Sequence, residues 1–315
     1  MEGVSGSQRP ARGRAVIVLP PSLDDLSFEG VFEQLAAQSA DAKVTVDARR
    51  CMFASPYGLT ALLAVAQSRI VRPAFLSPES HDTVTYWGRA GFYRYAEELY
   101  DIRGSVPRPQ SPSVSDSLLG VTRVATTADV HSAVADLQAS VGRMLIDKLH
   151  LSPDATTSVV NAIADVSDDV VMRAGASGRA GWLMAQVYRY GTPLGTRHVV
   201  VIAACDAGIT LRLSTQILRH RLPRSEWDDR SAVEQAVING VSRVGGPDVP
   251  HGLTAARDFA NQWNAKLSVR TGTARVAIVP TWDDETPRRH NLADFPGVQL
   301  QVTIPEQPTT GSNRS

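Results

Sequence analysis

This sequence has very few cysteines and no formal net charge. Only Cys51 and Cys205 occur among 315 residues, and 32 basic side chains balance 32 acidic ones. The two cysteines lie far apart, each near an apolar stretch, so we expect two buried, reduced thiols rather than a disulfide framework. The balanced charge argues against a nucleic-acid-binding protein that relies on bulk positive charge.

Long apolar runs are also lacking. The longest, Val199–Cys205, is far shorter than the roughly 20 residues that a membrane-spanning helix needs. The first residues, Met1–Arg14, are rich in Gly, Ser and Arg, and no apolar stretch follows that would make a signal peptide. We therefore expect no membrane partner and a cytoplasmic location.

Several familiar signatures of enzymes are absent as well. There is no P-loop, no dinucleotide-binding fingerprint and no G-x-S-x-G nucleophile elbow. The seven histidines show no metal-ligand spacing and form no pair with a cysteine, so we expect no metal site built from sulfur or imidazole. The glycine-rich stretch Gly175–Gly181 has too little to cradle a phosphate, and we interpret it as a turn.

Low-complexity segments divide the chain. The two ends are small, polar and contain Pro or Gly, and Val106–Ser117 has three prolines and four serines, which is typical of a linker. The prediction has five parts: a disordered tail at 1–14, a domain at 15–105, a linker at 106–117, a second domain at 118–305 and a disordered tail at 306–315.

The first predicted domain alternates strands and helices. Ala15–Leu19 and Lys43–Asp47 have strand patterns, and Phe28–Ala37 and Tyr57–Gln67 have apolar residues at helical spacing. A further amphipathic helix is predicted over Asp82–Leu99. This alternation predicts an α/β layer around one sheet.

The second predicted domain has a different order. Two long helices are predicted at Ala128–Leu149, with Thr127 as N-cap, and at Pro153–Val171, after a Ser152 N-cap. Two strands, two more helical patterns and three further strands follow. This order predicts a layer of helices on one face of a mixed sheet.

Two local patterns carry candidate chemistry. Asp206-Ala207-Gly208 follows a strong strand, and a carboxylate there could accept a hydrogen bond from the amine of adenine, although a simple turn is the other interpretation. Asp165 and Asp169 are four residues apart, so they share one face of the second long helix. That pair suits Mg²⁺ with phosphate, or it is only a solvated acidic face.

These patterns together resemble two known domain families. The first part resembles the STAS domains of anti-sigma-factor antagonists, through Val44–Ala48 (VTVDA) and Ala54–Leu63 (ASPYGLTALL). The second part resembles the ATP-binding domain of the GHKL superfamily, which includes histidine kinases and anti-sigma-factor kinases. Its marks are Asp165 and Asp169, Asp206-Ala207-Gly208, Gly252-Leu253 opening a helix, and Gly272-Thr273 between the last strands. The resemblance implies a STAS-like α/β domain followed by a GHKL (Bergerat) α/β sandwich.

The adenine end of the implied nucleotide site matches the superfamily in part. Asp206 and Gly208 match the adenine-binding motif Asp-x-Gly-x-Gly, whose second glycine is replaced here by Thr210. Thr273 is similar to the threonine that helps to hold the adenine amine. The resemblance therefore implies ATP or ADP at these residues, with Gly252 and Leu253 also in the nucleotide site.

The phosphate end departs further. Asp165 stands where the superfamily has a glutamate that activates water, and Asp169 stands where it has an asparagine that coordinates Mg²⁺. The implied lid, Gly245–Leu253, contains two prolines, which remove backbone N–H donors for phosphate. The resemblance thus implies Asp165 as the catalytic residue and Asp169 as the Mg²⁺ ligand, both altered.

Three functions stay open at this point. The first is a regulatory signalling protein with a degenerate ATP site that acts through a protein partner. The second is a pseudo-ATPase scaffold that binds no nucleotide, and the third is an active anti-sigma-factor-type serine kinase or ATPase. The resemblance implies a sigma factor or an anti-sigma antagonist as partner, and a homodimer stays open. Tyr57 stands where STAS domains carry their regulatory serine, so we expect no phosphorylation at that position.

Overall fold

The computed structural model describes residues 15–107, 118–192, 195–214, 227–239 and 252–306. The N-terminal region contains β1 (Ala15–Val18), β2 (Ser22–Leu23), α1 (Glu29–Ala36), β3 (Val44–Asp47), β4 (Phe53–Ala54), α2 (Pro56–Ser68), β5 (Ala74–Leu76), α3 (His81–Arg89), α4 (Phe92–Leu99) and β6 (Asp101–Arg103). The C-terminal region contains β7 (Leu118–Val124), α5 (Thr127–Leu149), α6 (Pro153–Gly175), β8 (Gly181–Thr192), β9 (Gly195–Cys205), α7 (Leu211–Ser214), α8 (Asp229–Val237), α9 (Gly252–Gln262), β10 (Lys266–Gly272), β11 (Ala274–Ile278), β12 (Arg288–Arg289) and β13 (Phe295–Pro305). The predicted tail 1–14, nearly all of the tail 306–315 and most of the linker 106–117 lie outside the described residues.

The N-terminal region is built on a parallel sheet. Its strands follow the order β1-β3-β5-β6, and every pairing is parallel. The predicted helix over Asp82–Leu99 is in fact two helices, α3 and α4. They are separated at Gly91, whose φ of 79° belongs to the left-handed region that glycine adopts without strain.

Helix α2 is buried on all sides along most of its length. Ser55 caps it by accepting a hydrogen bond from the Gly58 N–H at 3.2 Å, and Pro56 occupies the first helical position. A side chain at Gly58 would lie 2.5 Å from the Leu23 carbonyl oxygen, so only glycine allows this approach. Tyr57, which stands where STAS domains carry their regulatory serine, is buried away from solvent.

The C-terminal region is built on a seven-stranded sheet with the order β12-β11-β10-β13-β9-β8-β7. Every pairing is antiparallel, which corrects the prediction of a mixed sheet for this region. Short connections such as that between β8 and β9 join antiparallel neighbours, whereas parallel neighbours need a long crossover. The last of the described strands along the chain, β13, lies in the interior of the sheet between β10 and β9. The protein thus combines one parallel and one antiparallel sheet with helices.

One face of the large sheet is covered by helices of its own region. Apolar residues of α5, α6, α8 and α9 form a single core with every second residue of the strands, including Leu183, Ile202 and Leu300. Helix α5 begins after Thr126, which forms a capping box with Asp129, so the N-cap is one residue before the predicted Thr127. Ser152 caps α6 as predicted, because its hydroxyl accepts the Ala155 N–H at 3.2 Å.

The other face of the large sheet is covered by the N-terminal region. A second core joins residues of α1, α2 and the parallel sheet to Trp182, Met184, Ala203 and Cys205 of the large sheet. The Trp182 indole N–H also donates to the Gln67 side chain at 3.0 Å. The predicted domain boundaries stay a prediction, but the two regions share this core. None of the described helices has both the length and the apolar character needed to cross a membrane.

Glu306, the first residue of the predicted C-terminal tail, is held by histidines. It accepts the His198 N–H at 3.0 Å and lies 3.2 Å from Nδ1 of the same residue, while Nε2 of His150 is 3.4 Å away. The hydrogen bond from the His198 backbone, aided by the two imidazoles, lowers the pKa of Glu306 below its ordinary value.

Candidate functional site

Asp206, the residue predicted to bind adenine, is fully buried at the end of β9. One carboxylate oxygen accepts the Gly208 N–H at 2.7 Å and the other accepts the Val298 N–H at 3.3 Å. Gly297 has a φ of 81°, and a side chain there would collide with Asp206. The carboxylate therefore holds together the backbone of β9 and β13.

Thr273, the predicted partner of the adenine amine, is bonded to Asp229 at the start of α8. Its N–H and its hydroxyl donate to the same Asp229 oxygen at 3.1 and 3.2 Å, and Arg212 pairs with the other oxygen at 3.1 Å. Gly272 has a φ of 53°, and a side chain there would collide with the Asp229 carboxylate. The geometry thus ties Thr273 to α7 and α8.

Thr271 occupies the position next to the Asp206 loop. Its hydroxyl donates to the Gly297 carbonyl at 2.8 Å and accepts the Leu211 N–H at 3.0 Å. This buried residue was not among those predicted from the sequence. Its only signal was a hydroxyl side chain near the end of β10, two positions before Thr273.

Asp165 and Asp169 lie on α6 and are half-buried. The neighbouring face of α6 packs on the sheet around an apolar cavity of about 10 Å³, which is lined by Ile163, Phe259 and Ile202 among others. Within the described part of the chain, no group of three or more His, Cys, Asp or Glu side chains could hold a metal ion. The catalytic role of Asp165 and the Mg²⁺ role of Asp169 stay predictions.

The predicted lid lies mostly outside the described residues. Residues 240–251 are not described, and α9 begins at Gly252. The Leu253 side chain is buried in the core beneath the helices. The role of both residues in nucleotide binding also stays a prediction.

Both cysteines are buried and free, as the sequence predicted. The Cys205 sulfur lies 3.3 Å from the Thr60 hydroxyl of α2, at the contact between the two regions. Burial raises the pKa of Cys51 to about 11 and that of Cys205 to about 12. Both sulfurs are therefore protonated thiols that are unsuited to nucleophilic chemistry.

A buried ion pair connects the two regions. Arg270 of β10 is 1% exposed, and its Nε donates to both carboxylate oxygens of Glu29 on α1, at 2.9 and 3.2 Å. The remaining guanidinium nitrogens donate to the carbonyls of Gly272 and Ala293, and the group lies over the Phe32 ring at 4.1 Å. Nothing in the sequence pattern joins two residues so far apart.

A second buried cluster lies beside it. Arg275 pairs with Asp25 at 2.5 Å and with Glu285 at 2.7 Å, and Lys266 pairs with Glu285 at 2.5 Å and with Asp283 at 2.9 Å. Burial raises the pKa of Asp25, against the lowering effect of Arg275. For Lys266 burial acts against the charge, but the carboxylates of Glu285 and Asp283 outweigh it and raise the pKa. Lys266 is thus an ion-paired ammonium group and not a neutral, nucleophilic amine.

A cleft of about 310 Å³ opens next to this cluster. Its floor is the face of the large sheet that the N-terminal region covers elsewhere, and the segments around Asp24 and Phe53 form the opposite wall. The Phe53 and Tyr188 rings meet edge to face across it, with centroids 5.7 Å apart. The volume is within the range of small-molecule sites.

Comparison of the chain with protein-family models, curated proteins and solved structures gave no match. The resemblance to STAS and GHKL domains therefore stays a prediction that rests on the residues named above.

Proposed function

We propose that this chain is a regulatory signalling protein that acts through a protein partner, and that its GHKL-like domain is a scaffold rather than an ATPase. The observation that carries the proposal is the environment of Asp206. Its two carboxylate oxygens accept backbone N–H groups of Gly208 and Val298, so the group that should recognise adenine has a structural role. Asp206 is also 0% exposed, so a ligand could reach its oxygens only if the surrounding backbone moved.

The surrounding residues favour the same interpretation. Thr273 is committed to Asp229, and the cavity between α6 and the sheet has room for about one water molecule. The superfamily's glutamate and asparagine are also replaced by Asp165 and Asp169. The small cavity and the two replaced residues argue against efficient hydrolysis or serine phosphorylation by this domain.

A partner surface is available at the N-terminal end of α2. Leu26, Met52 and Phe53 are exposed large apolar residues in the segments around this helix start, and the Met52 side chain is 62% exposed. In the STAS domains that this part resembles, the regulatory serine is presented at this strand–loop–helix. Exposed apolar patches mark protein interaction sites. The proposed class of partner, a sigma factor or an anti-sigma antagonist, follows from the resemblance to STAS and GHKL domains.

The second candidate is a regulator that binds ATP or ADP at a degenerate site. It is favoured by the buried Asp206 with Gly208 two residues later, and by the shared face of Asp165 and Asp169. In that case Asp169 is a magnesium ligand, and Asp169→Asn should keep or strengthen binding of Mg-ATP.

Calorimetric titration of the full chain with ATP, with and without Mg²⁺, separates the two candidates. The scaffold proposal expects no saturable heat up to millimolar ATP in either condition, for the wild type and for Asp169→Asn alike. Saturable, Mg²⁺-dependent heat in the wild type would overturn the scaffold proposal and support the nucleotide-binding regulator.

The partner proposal is tested by co-purification from the source cells. We expect the wild-type chain to retain a partner that Met52→Glu loses. Ile70→Glu is the matched control, since Ile70 is 76% exposed and is not one of the apolar residues at that helix start. Equal retention by all three proteins would contradict a partner surface at Met52.

A further inference from the structure

The cleft between the two regions has the features of a built ligand site. Its floor is formed by Val199, Val201, Gln301 and Thr303. Strand alternation turns these residues to the face of the large sheet that packs against the N-terminal region. Helix α2 covers the neighbouring part of the same face, where Cys205 meets Thr60. The cleft is thus the portion of this face that the N-terminal region leaves open.

Gln301 supplies the first observation that points to a ligand. Its side chain is 7% exposed, and its carbonyl oxygen Oε1 has no hydrogen-bond partner among the described residues. Buried acceptors are nearly always paired, because an unpaired one loses its hydrogen bonds to water without replacement. A donor in the cleft would satisfy this oxygen.

The charge of the cleft supplies the second. Three carboxylates and two cations line it: Asp24, Asp25 and Asp283, with Lys266 and Arg189. Asp25 is paired with Arg275, and Asp283 is paired with Lys266. Asp24 accepts only backbone N–H groups, those of Leu26 at 3.1 Å and Ser27 at 2.8 Å, and no cation of the described residues lies within salt-bridge distance of it. Arg189, which is exposed, is the lining cation that belongs to neither pair. Glu285 pairs with both Lys266 and Arg275, so the cleft and its cluster together hold four carboxylates and three cations, and one negative charge is left for a ligand to balance.

Aromatic side chains complete the walls. Phe53 and Tyr188 meet edge to face, and Trp282 lies in the wall formed by the segment before Asp283. Ring faces attract organic cations and pack against apolar groups. An anion would find Lys266 already held by Asp283 and Glu285, which leaves the exposed Arg189 as the lining cation that could pair with it.

From these features we propose that the cleft binds a small organic monocation, a primary ammonium or guanidinium compound with an apolar body. The charged group donates to Asp24 and to Oε1 of Gln301, and the apolar body packs against Phe53, Tyr188 and Trp282. This inference goes beyond the proposed function and needs neither nucleotide nor protein partner, and Phe53 belongs both to this cleft and to the proposed partner surface.

Three probes of nearly equal shape test the proposed charge. Phenethylammonium, 2-phenylethanol and 3-phenylpropanoate are titrated into the full chain and followed by calorimetry and by tryptophan fluorescence. We expect saturable binding of the cation, at least tenfold weaker binding of the alcohol, and no binding of the carboxylate. Binding of the carboxylate as tight as that of the cation, or no binding of the cation up to millimolar concentration, would overturn the proposal.

Two variants test the position. Asp24→Asn keeps the oxygen that accepts the backbone N–H groups but removes the charge, and we expect about tenfold weaker binding of phenethylammonium, which corresponds to a single partly exposed charge contact. Gln301→Met removes the unpaired acceptor at similar volume and should also weaken binding. Asp82→Asn, an exposed carboxylate at the start of α3, is the matched control and should bind as the wild type does. Unchanged affinity in Asp24→Asn would overturn the assignment, even if Gln301→Met does not fold.

Discussion

The ion pair between Glu29 and Arg270 gives the sharpest test of how the two regions are held together. In Glu29→Ala the guanidinium of Arg270 keeps its two carbonyl partners and the Phe32 ring but loses the one carboxylate that pairs with it among the described residues, in a place that is 1% exposed. Removing one partner of a buried ion pair typically costs about 3–5 kcal/mol. Because the carbonyls and the ring remain, we expect a loss of about 3 kcal/mol in the free energy of unfolding.

Chemical denaturation followed by tryptophan fluorescence measures this loss. Glu33→Ala is the matched control, since Glu33 lies on the exposed face of the same helix and should change stability by less than about 0.5 kcal/mol. The double variant Glu29→Ala/Arg270→Met removes both charges and should be more stable than Glu29→Ala by at least about 1 kcal/mol. A loss below about 1 kcal/mol in Glu29→Ala, or strictly additive losses in the double variant, would refute the reasoning.

Three further predictions concern single positions. Neither Cys51 nor Cys205 should react with a thiol reagent in the native chain at about pH 8, and both should react after denaturation, because burial raises their pKa values; stoichiometric reaction in the native state would contradict this. Gly297→Ala should lower the free energy of unfolding by more than about 2 kcal/mol, whereas Gly30→Ala, at an open helical position, should raise it by about 0.5–1 kcal/mol; equal effects in denaturant would show that the collision is harmless. The pKa of Glu306 is lowered by its histidine contacts, so its stabilisation is present above pH 4.5 and is lost as the pH falls. Denaturation at about pH 7 and about pH 4 should therefore show a smaller acid-induced loss in Glu306→Gln than in the wild type, and identical losses would refute it.

Much of the secondary structure could be predicted because local patterns decide it. The strand over Leu118–Val124 and the start of α6 at Pro153 were found at the predicted residues. The end of β10 at Gly272 and the start of β13 at Phe295 were missed, because Gly272 and the pair Pro296-Gly297 are residues that usually mark turns. The division of α3 from α4 was missed because a lone glycine is tolerated in many helices.

The contacts between the regions could not be predicted from a single sequence. Lys266, Ser268 and Arg270 alternate along β10 as if they faced water, and they are buried against the N-terminal region instead. The partner of Arg270, Glu29, lies 241 positions earlier in the chain, and no local pattern encodes such a pairing. The predicted nucleotide residues, by contrast, were placed on the right strand ends and helices, but the fate of their hydrogen bonds depends on backbone far away in sequence, such as Val298 for Asp206.

The interior position of β13 has a consequence for synthesis. Among the described strands it is the last one along the chain, and it joins β9 to β10. Until it leaves the ribosome, β9 and β10 lack the strand that joins them, and Phe295 is missing from the core around Phe32. The N-terminal region is therefore translated long before the surface that buries its central helix is complete, so the nascent chain must keep an apolar face shielded during most of its elongation.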